Sequence, residues 1–204
     1  MKVKICGIQD VDTALYAQQI GTDYIGFVFA ESKRQVSAEQ ATAISNHLHK
    51  GPLKVGVFVN EDVKRVEEIA EAASLDIIQL HGDESPEYAR KLTRPVMKAF
   101  SYSPQLSMKE VLAYPADLIL LDSAKGPYRG GNGTTFDWSL LTSETFDRTR
   151  LILAGGLHPD NVQEAITTIQ PAAVDVSSGV ETNGVKDWTK MKAFIDQVKG
   201  ADLL

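Results

Sequence analysis

The residues able to do chemistry in this chain gather at the ends of apolar runs. Cys6-Gly7 closes the first run, Ser32-Lys33-Arg34 follows the second, Gln79 and His81 close the fourth, and Asp122-Ser123 closes the sixth. Gly155-Gly156 closes the seventh and Ser177-Ser178-Gly179 the eighth. The last two elements suit an anion. Glycine lets a backbone approach a phosphate closely, and exposed N–H groups at the start of a short helix supply donors and a positive dipole end. One such element alone reads as an ordinary turn, whereas two after adjacent strands point to phosphate.

The other candidates each have two readings. A lone cysteine at a strand end is either a small buried hydrophobe or, where positive charge or donors lower its pKa from ~8.5, a thiolate. Asp122 ends the run Leu118-Ile119-Leu120-Leu121 and precedes glycine-rich sequence, so it caps no helix. It is either poised for acid–base work or ties down the following loop. Arg34 offers a planar fork for a carboxylate or phosphate, against the alternative of a solvated charge cluster. Gln79 and His81 are placed to line a pocket. Lys98, within the fifth run, is either a Schiff-base lysine or, more simply, an ion-pair partner inside a barrel. No second His lies at ligand spacing, so no metal site is expected.

Parallel strands with helices between them would position these groups. Apolar runs at residues 3–6, 24–29, 53–59, 77–80, 96–100, 118–121, 151–154 and 173–176 read as strands buried on both faces. Helices are expected after Asp10 or Asp12, at 39–48 behind Ser37, from Asn60-Glu61-Asp62 through Ala73, and behind Ser85-Pro86-Glu87. Others are expected at 108–112, 137–141, from Pro159-Asp160-Asn161 through Ile169, and at 187–198, with a long glycine-rich loop at 125–135. An open doubly wound sheet would carry a glycine-rich loop after its first strand. Here the glycine pairs come late, where closed barrels hold phosphate. The expected fold is therefore a compact α/β chain, a (β/α)8 TIM barrel forming one domain over residues 1–204.

Bulk properties fit that fold. The 204 residues are few for an eight-strand barrel, which typically has ~250, so its loops must be lean. The net charge of −6 gives no electrostatic footprint for nucleic acid. Cys6 is the only cysteine, so no intrachain disulfide forms, as suits a reducing cytoplasm. No long apolar leader and no run of ~20 apolar residues is visible, so neither a signal peptide nor a membrane span is expected. Monomer and homodimer both remain open.

Taken together, the ordered motifs resemble the phosphoribosylanthranilate isomerase family of tryptophan biosynthesis. The matching stretches are Lys4-Ile5-Cys6-Gly7-Ile8, Ser32-Lys33-Arg34, Gln79-Leu80-His81-Gly82, Leu121-Asp122-Ser123, Gly130-Gly131-Asn132-Gly133 with Phe136-Asp137-Trp138, Ala154-Gly155-Gly156-Leu157, and Asp175 through Glu181. Asn132 and Thr134 stand where relatives often have Thr and Lys, and Gln35 replaces an aromatic residue of some relatives.

The resemblance implies an Amadori rearrangement of N-(5-phosphoribosyl)anthranilate to 1-(2-carboxyphenylamino)-1-deoxyribulose 5-phosphate, without cofactor or metal. It implies that Asp122, protonated, is the general acid and Cys6, as thiolate, the general base, so that the pKa of Asp122 is raised and that of Cys6 lowered. Arg34 would take the anthranilate carboxylate. Gly155, Gly156, Ser177, Ser178 and Gly179 would hold the phosphate, and the loop at 125–135 would close as a lid. Rival readings are a metal-dependent sugar-phosphate epimerase, which needs His and Asp clusters, and a histidine-pathway isomerase, which needs a carboxylate in place of Cys6. A non-catalytic phosphate-ligand binder would need neither Cys6 nor Asp122.

Overall fold

A computed structural model of the chain describes residues 1–48, 50–103, 105–122 and 147–201. Eight parallel strands close into a barrel in chain order: β1 (Lys2–Cys6), β2 (Tyr24–Val28), β3 (Leu53–Phe58), β4 (Ile77–Leu80), β5 (Val96–Ser101), β6 (Leu118–Asp122), β7 (Leu151–Leu153) and β8 (Ala173–Val176). The seam is β1 against β8, with Lys2 opposite Ala173 through Ile5 opposite Val176. Helices α1 (Val11–Gln19), α2 (Ala38–Ser45), α3 (Val63–Ala72), α4 (Pro86–Ala89), α5 (Met108–Ala113), α6 (Val162–Ile169) and α7 (Trp188–Ala201) run between or after the strands. The expected strands all form, within two residues at either end. The expected helix at 137–141 and the loop at 125–135 lie outside the described residues.

Local chemistry starts the helices. Asp10 accepts from the Thr13 amide at 2.7 Å, Ser37 and Gln40 form a reciprocal capping box, and Asp62 accepts from the amides of Lys64 and Arg65. Ser85 caps α4 with Pro86 in its first turn. Each cap satisfies amides that the first helical turn leaves without partners.

Strand alternation sorts the core into two layers. Tyr24, Val55, Ile77, Met97, Leu120 and Ile152 fill the barrel interior, while Val3, Ile5, Phe27, Phe58, Leu80 and Leu121 pack outward against the helices. A large side chain buried this way contributes roughly 1.5–3 kcal/mol. Two features were not anticipated. A short hairpin of β9 (Glu181–Thr182) and β10 (Val185–Lys186) follows β8. At the opposite end of the barrel, three aspartates clamp neighbouring strands reciprocally. The Asp23 carboxylate accepts from Val3 N at 2.8 Å, Asp76 from Lys54 N at 2.7 Å, and Asp117 from Val96 N at 2.8 Å. In return, the Asp23, Asp76 and Asp117 amides donate to the carbonyls of Val3, Lys54 and Val96.

These clamps lie far from the reactive end. Substituting any one of Asp23, Asp76 or Asp117 by Ala is expected to cost about 1 kcal/mol of unfolding free energy, roughly additively for distant sites. Denaturant melts would read the loss, and KM for substrate would stay at the wild-type value. A KM change with intact stability would contradict this assignment.

Candidate active site

The C-terminal ends of the strands open into a cavity of about 630 Å³. Cys6, Arg34, Gln79, His81, Asp122 and Ser177, all expected site residues, lie on its wall, as does Gln35. Gly155, Gly156, Ser178 and Gly179 are not on the wall of this cavity. They stand partly exposed beside it, after β7 and β8. Gly155 and Gly156 both take positive φ, +87° and +64°. A Cβ on Gly179 would strike the Leu157 carbonyl, so the two glycine elements pack against each other. Asn161 braces the first of them, donating to the Gly156 carbonyl at 3.0 Å.

Cys6 ends β1 and faces inward. Its neighbour across the ladder is Gly26, where a Cβ would lie 2.8 Å from the sulfur, so only glycine leaves the thiol its space. The thiol is buried, 8% exposed, and the expectation of a lowered pKa is not met. Burial pushes the thiol up, and Asp175 adds to the rise; together they outweigh the pull of the Lys4 and Lys186 ammonium groups. The balance therefore favours the protonated thiol.

Asp122 ends β6, 5% exposed, and lines the same cavity as Cys6. His81 stands beside it, Nε2 to Oδ2 3.6 Å. The Gln79 amide nitrogen lies 3.3 Å from His81 Nδ1. Donation to that nitrogen leaves the hydrogen of a neutral imidazole on Nε2, toward Asp122. The turn carrying His81 is held from below: the Glu84 carboxylate accepts from Gly82 N and Asn60 N, and Lys98 donates to Glu84 and to the Gly82 carbonyl at 2.7 Å. Lys98 is therefore an ion-pair partner, but on the outer face of β5 under this turn. The inward positions of that strand belong to Met97 and Ala99.

Arg34 is neither solvated nor loose. Its Nε and Nη2 donate to the two Glu181 oxygens at 2.7 and 2.8 Å. That grip raises the guanidinium pKa further, and it keeps Glu181 below the usual carboxylate range in spite of burial. Lys186 also donates to Glu181, at 2.6 Å, and to the Ser177 carbonyl at 2.9 Å. The stem of Arg34 lies over Gly7, where a Cβ would come 2.5 Å from Arg34 Cδ, which explains the glycine after Cys6. With one edge of the fork engaged, Nη1 is left to meet an anion in the cavity.

Four contributors carry no assigned role in the sequence reading: Lys4, Asp175 and Glu181, which stand within the motif stretches, and Lys186, which stands outside them. Period-2 alternation carried a signal for the first two, since Lys4 shares the inner face with Cys6 and Asp175 with Ser177. Glu181 and Lys186 sit on the hairpin, and nothing local in the sequence ties them to Arg34. Among the described residues no group of three or more His, Cys, Asp or Glu is placed to hold a metal ion, and no helix is long and apolar enough to cross a membrane.

Comparison with known proteins places this geometry. Residues 3–197 match the family model described as N-(5'-phosphoribosyl)anthranilate (PRA) isomerase. The chain is 50% identical over 200 residues to the N-(5'-phosphoribosyl)anthranilate isomerase of Bacillus cereus strain G9842, covering 98% of both. The phosphoribosyl anthranilate isomerase structure from Thermotoga maritima superposes with TM-score 0.89 at 43% identity, covering 98% of this chain and 99% of that one. A phosphoribosyl anthranilate isomerase in complex with reduced 1-(o-carboxyphenylamino)-1-deoxyribulose 5-phosphate gives TM-score 0.86 at 42% identity, with the same coverage.

A thiol pKa raised by burial has a direct readout. Alkylation of Cys6, the single cysteine, is expected to accelerate with pH through a midpoint above the ~8.5 of a free thiol. A midpoint at or below that value would refute the electrostatic balance described here.

Proposed function

This chain belongs to the N-(5'-phosphoribosyl)anthranilate isomerase family, and we propose that Cys6 is its general base, Asp122 its general acid and Arg34 its carboxylate anchor. It is an isomerase of tryptophan biosynthesis, converting N-(5-phosphoribosyl)anthranilate to 1-(2-carboxyphenylamino)-1-deoxyribulose 5-phosphate. The observation that carries the residue assignment is the placement of one buried sulfur and one buried carboxyl on the wall of a single cavity, with a braced guanidinium at its rim.

In this reading Asp122 gives its proton to the furanose ring oxygen. The C1–O bond breaks, and the amine lone pair forms a C1=N iminium. The positive nitrogen acidifies the C2 proton. Cys6, as thiolate, takes that proton, and the C–H electron pair forms the C1=C2 bond of an enolamine while neutralising the nitrogen. Tautomerisation then adds a proton at C1 as the C2 hydroxyl loses one, and the ketone results. Before the next turnover Cys6 releases the proton it took and Asp122 regains one, so the cycle is proton-neutral. Burial favours the protonated thiol. The iminium charge beside C2, once the ring has opened, favours the thiolate.

Arg34 takes the anthranilate carboxylate on the edge that Glu181 leaves, and Gln79 and His81 line the cavity beside Asp122. The amides around Gly155, Gly156, Ser178 and Gly179, with Ser177, take the phosphate at the other end. Two anchors hold C1 and C2 between acid and base. Residues 1–204 are read as one barrel domain that works as a monomer or homodimer in the cytoplasm, with a small phosphosugar as ligand, no cofactor, and no nucleic-acid partner.

The activity is tested by generating phosphoribosylanthranilate in place and following the loss of its anthranilate fluorescence. Cys6→Ser is expected to lower kcat by roughly 10²–10⁴-fold with little change in KM, as for loss of a general base. Near-normal turnover would exclude Cys6. Asp122→Asn is expected to lower kcat similarly and to remove the limb of the pH–rate profile that belongs to the acid. Arg34→Ala is expected to raise KM and the inhibition constant of a carboxylate-bearing product analogue; unchanged affinity would remove that anchor.

A further inference from the structure

Lys4 has no exposed surface at all, yet it lies inside the barrel. Lysine is almost never fully buried unless paired. Its partner is Asp175, Nζ to Oδ1 3.0 Å, directly opposite in the β1–β8 ladder. Apolar residues in place of a buried ion pair are often neutral or stabilising, so stability alone does not account for this one. Its position does. Alternation puts Lys4 and Cys6 on the same inner face of β1, two residues apart, with Lys4 one step deeper.

We propose that Lys4 is a positioning residue for the proton abstraction: its ammonium, held in place by Asp175, is the internal counter-ion of the Cys6 thiolate. The inference rests on the reading of Cys6 as the base. Among the described residues, charged groups that act on Cys6 are Lys4 from its own strand, Asp175 from β8, Lys186 from β10 and Arg34 from the segment after β2, and Asp122 from β6 and His81 after β4 line the same cavity. β2 itself presents uncharged Gly26. Lys186 and Arg34 are both engaged with Glu181. Lys4 is the strongest of the influences favouring the thiolate, and Asp175 opposes it. Asp175 also keeps Lys4 charged: burial pulls the lysine pKa down, but Asp175 and Cys6 together hold it above the ordinary value. A cation fixed under the sulfur offsets part of the burial penalty at the moment the thiolate forms.

The test reads the thiol itself. The pH dependence of iodoacetamide alkylation gives the pKa of Cys6, the single cysteine, and is set beside the pH–kcat profile. Lys4→Met is expected to raise the thiol pKa by about one unit or more, slowing alkylation near pH 8 about tenfold. The limb of the kcat profile that belongs to the base should move by the same amount, with KM nearly unchanged. A thiol pKa that does not move, or a defect confined to KM, overturns the proposal. Lys4→Met leaves Asp175 buried without its partner. Should that variant not fold, Lys4→Met/Asp175→Asn is compared with Asp175→Asn: the double variant should have the higher thiol pKa by a similar margin, and equal values overturn the proposal. Full activity in Cys6→Ser would remove the base assignment, while the alkylation series would still report the field of Lys4, so the two failures are distinguishable.

Discussion

The parallel pairing of β1 with β8, Lys2 against Ala173 through Ile5 against Val176, turns eight strands into a closed wall. Once the wall is closed, every second residue of each strand points into one enclosed space, and polar side chains there must find partners or reach the open end. The deep positions are accordingly apolar, with Met97, Leu120 and Ile152 among them. The polar ones climb toward the C-terminal rim: Lys4 with Asp175, then Cys6, Gln79 and Asp122. The same seam sets the start of the chain beside the hairpin that follows β8. It joins the Cys6 carbonyl to the Ser177 hydroxyl, 3.1 Å apart, across 171 positions of sequence.

Charge in this cavity is arranged as a balance of opposed terms. Arg34 and Lys186 share Glu181, and Lys4 is matched by Asp175, so neither cluster presents its full positive charge. Burial therefore prevails at Cys6, whose thiol is raised and not lowered as chemical expectation from the sequence had it. The protonated sulfur is a poorer nucleophile than a thiolate, so burial shields it from adventitious alkylation and oxidation.

Much of the fold was legible because β-branched and leucine-rich runs of four to seven residues recur with helical periodicity between them, and Ser, Asp and Pro stand where caps belong. The cavity-lining candidates were legible for a related reason: the C-terminal ends of parallel barrel strands open into one shared space, so polar groups placed there meet. What escaped lies in phase and in distance. The run Val96-Met97-Lys98-Ala99 is apolar on both faces, so the sequence does not tell which side Lys98 takes, and it takes the outer one. Two-residue strands such as β9 and β10 fall below the length at which alternation is readable. Arg34 and Glu181 are 147 positions apart, and their pairing exists only after closure. The direction of the Cys6 shift depends on how deeply folding buries the sulfur, a quantity that residue types do not carry.

The aspartate clamps at the far end divide the molecule in a way its chemistry does not. Each joins an odd-numbered strand to the next even-numbered one: β1 to β2, β3 to β4, β5 to β6. The wall is thus stapled in twos by carboxylates, while the joints between twos are held differently: β8 to β1 by Lys4 and Asp175, β6 to β7 by Arg150 on the Ala116 and Asp117 carbonyls, and β4 to β5 by Arg94 on the Leu75 carbonyl. New chain ends introduced in the segments carrying α2 or α4 would cut no carboxylate staple, whereas ends placed at α1, α3 or α5 would leave one bridging a break. Tolerance of this barrel to re-threading should follow a two-strand rhythm.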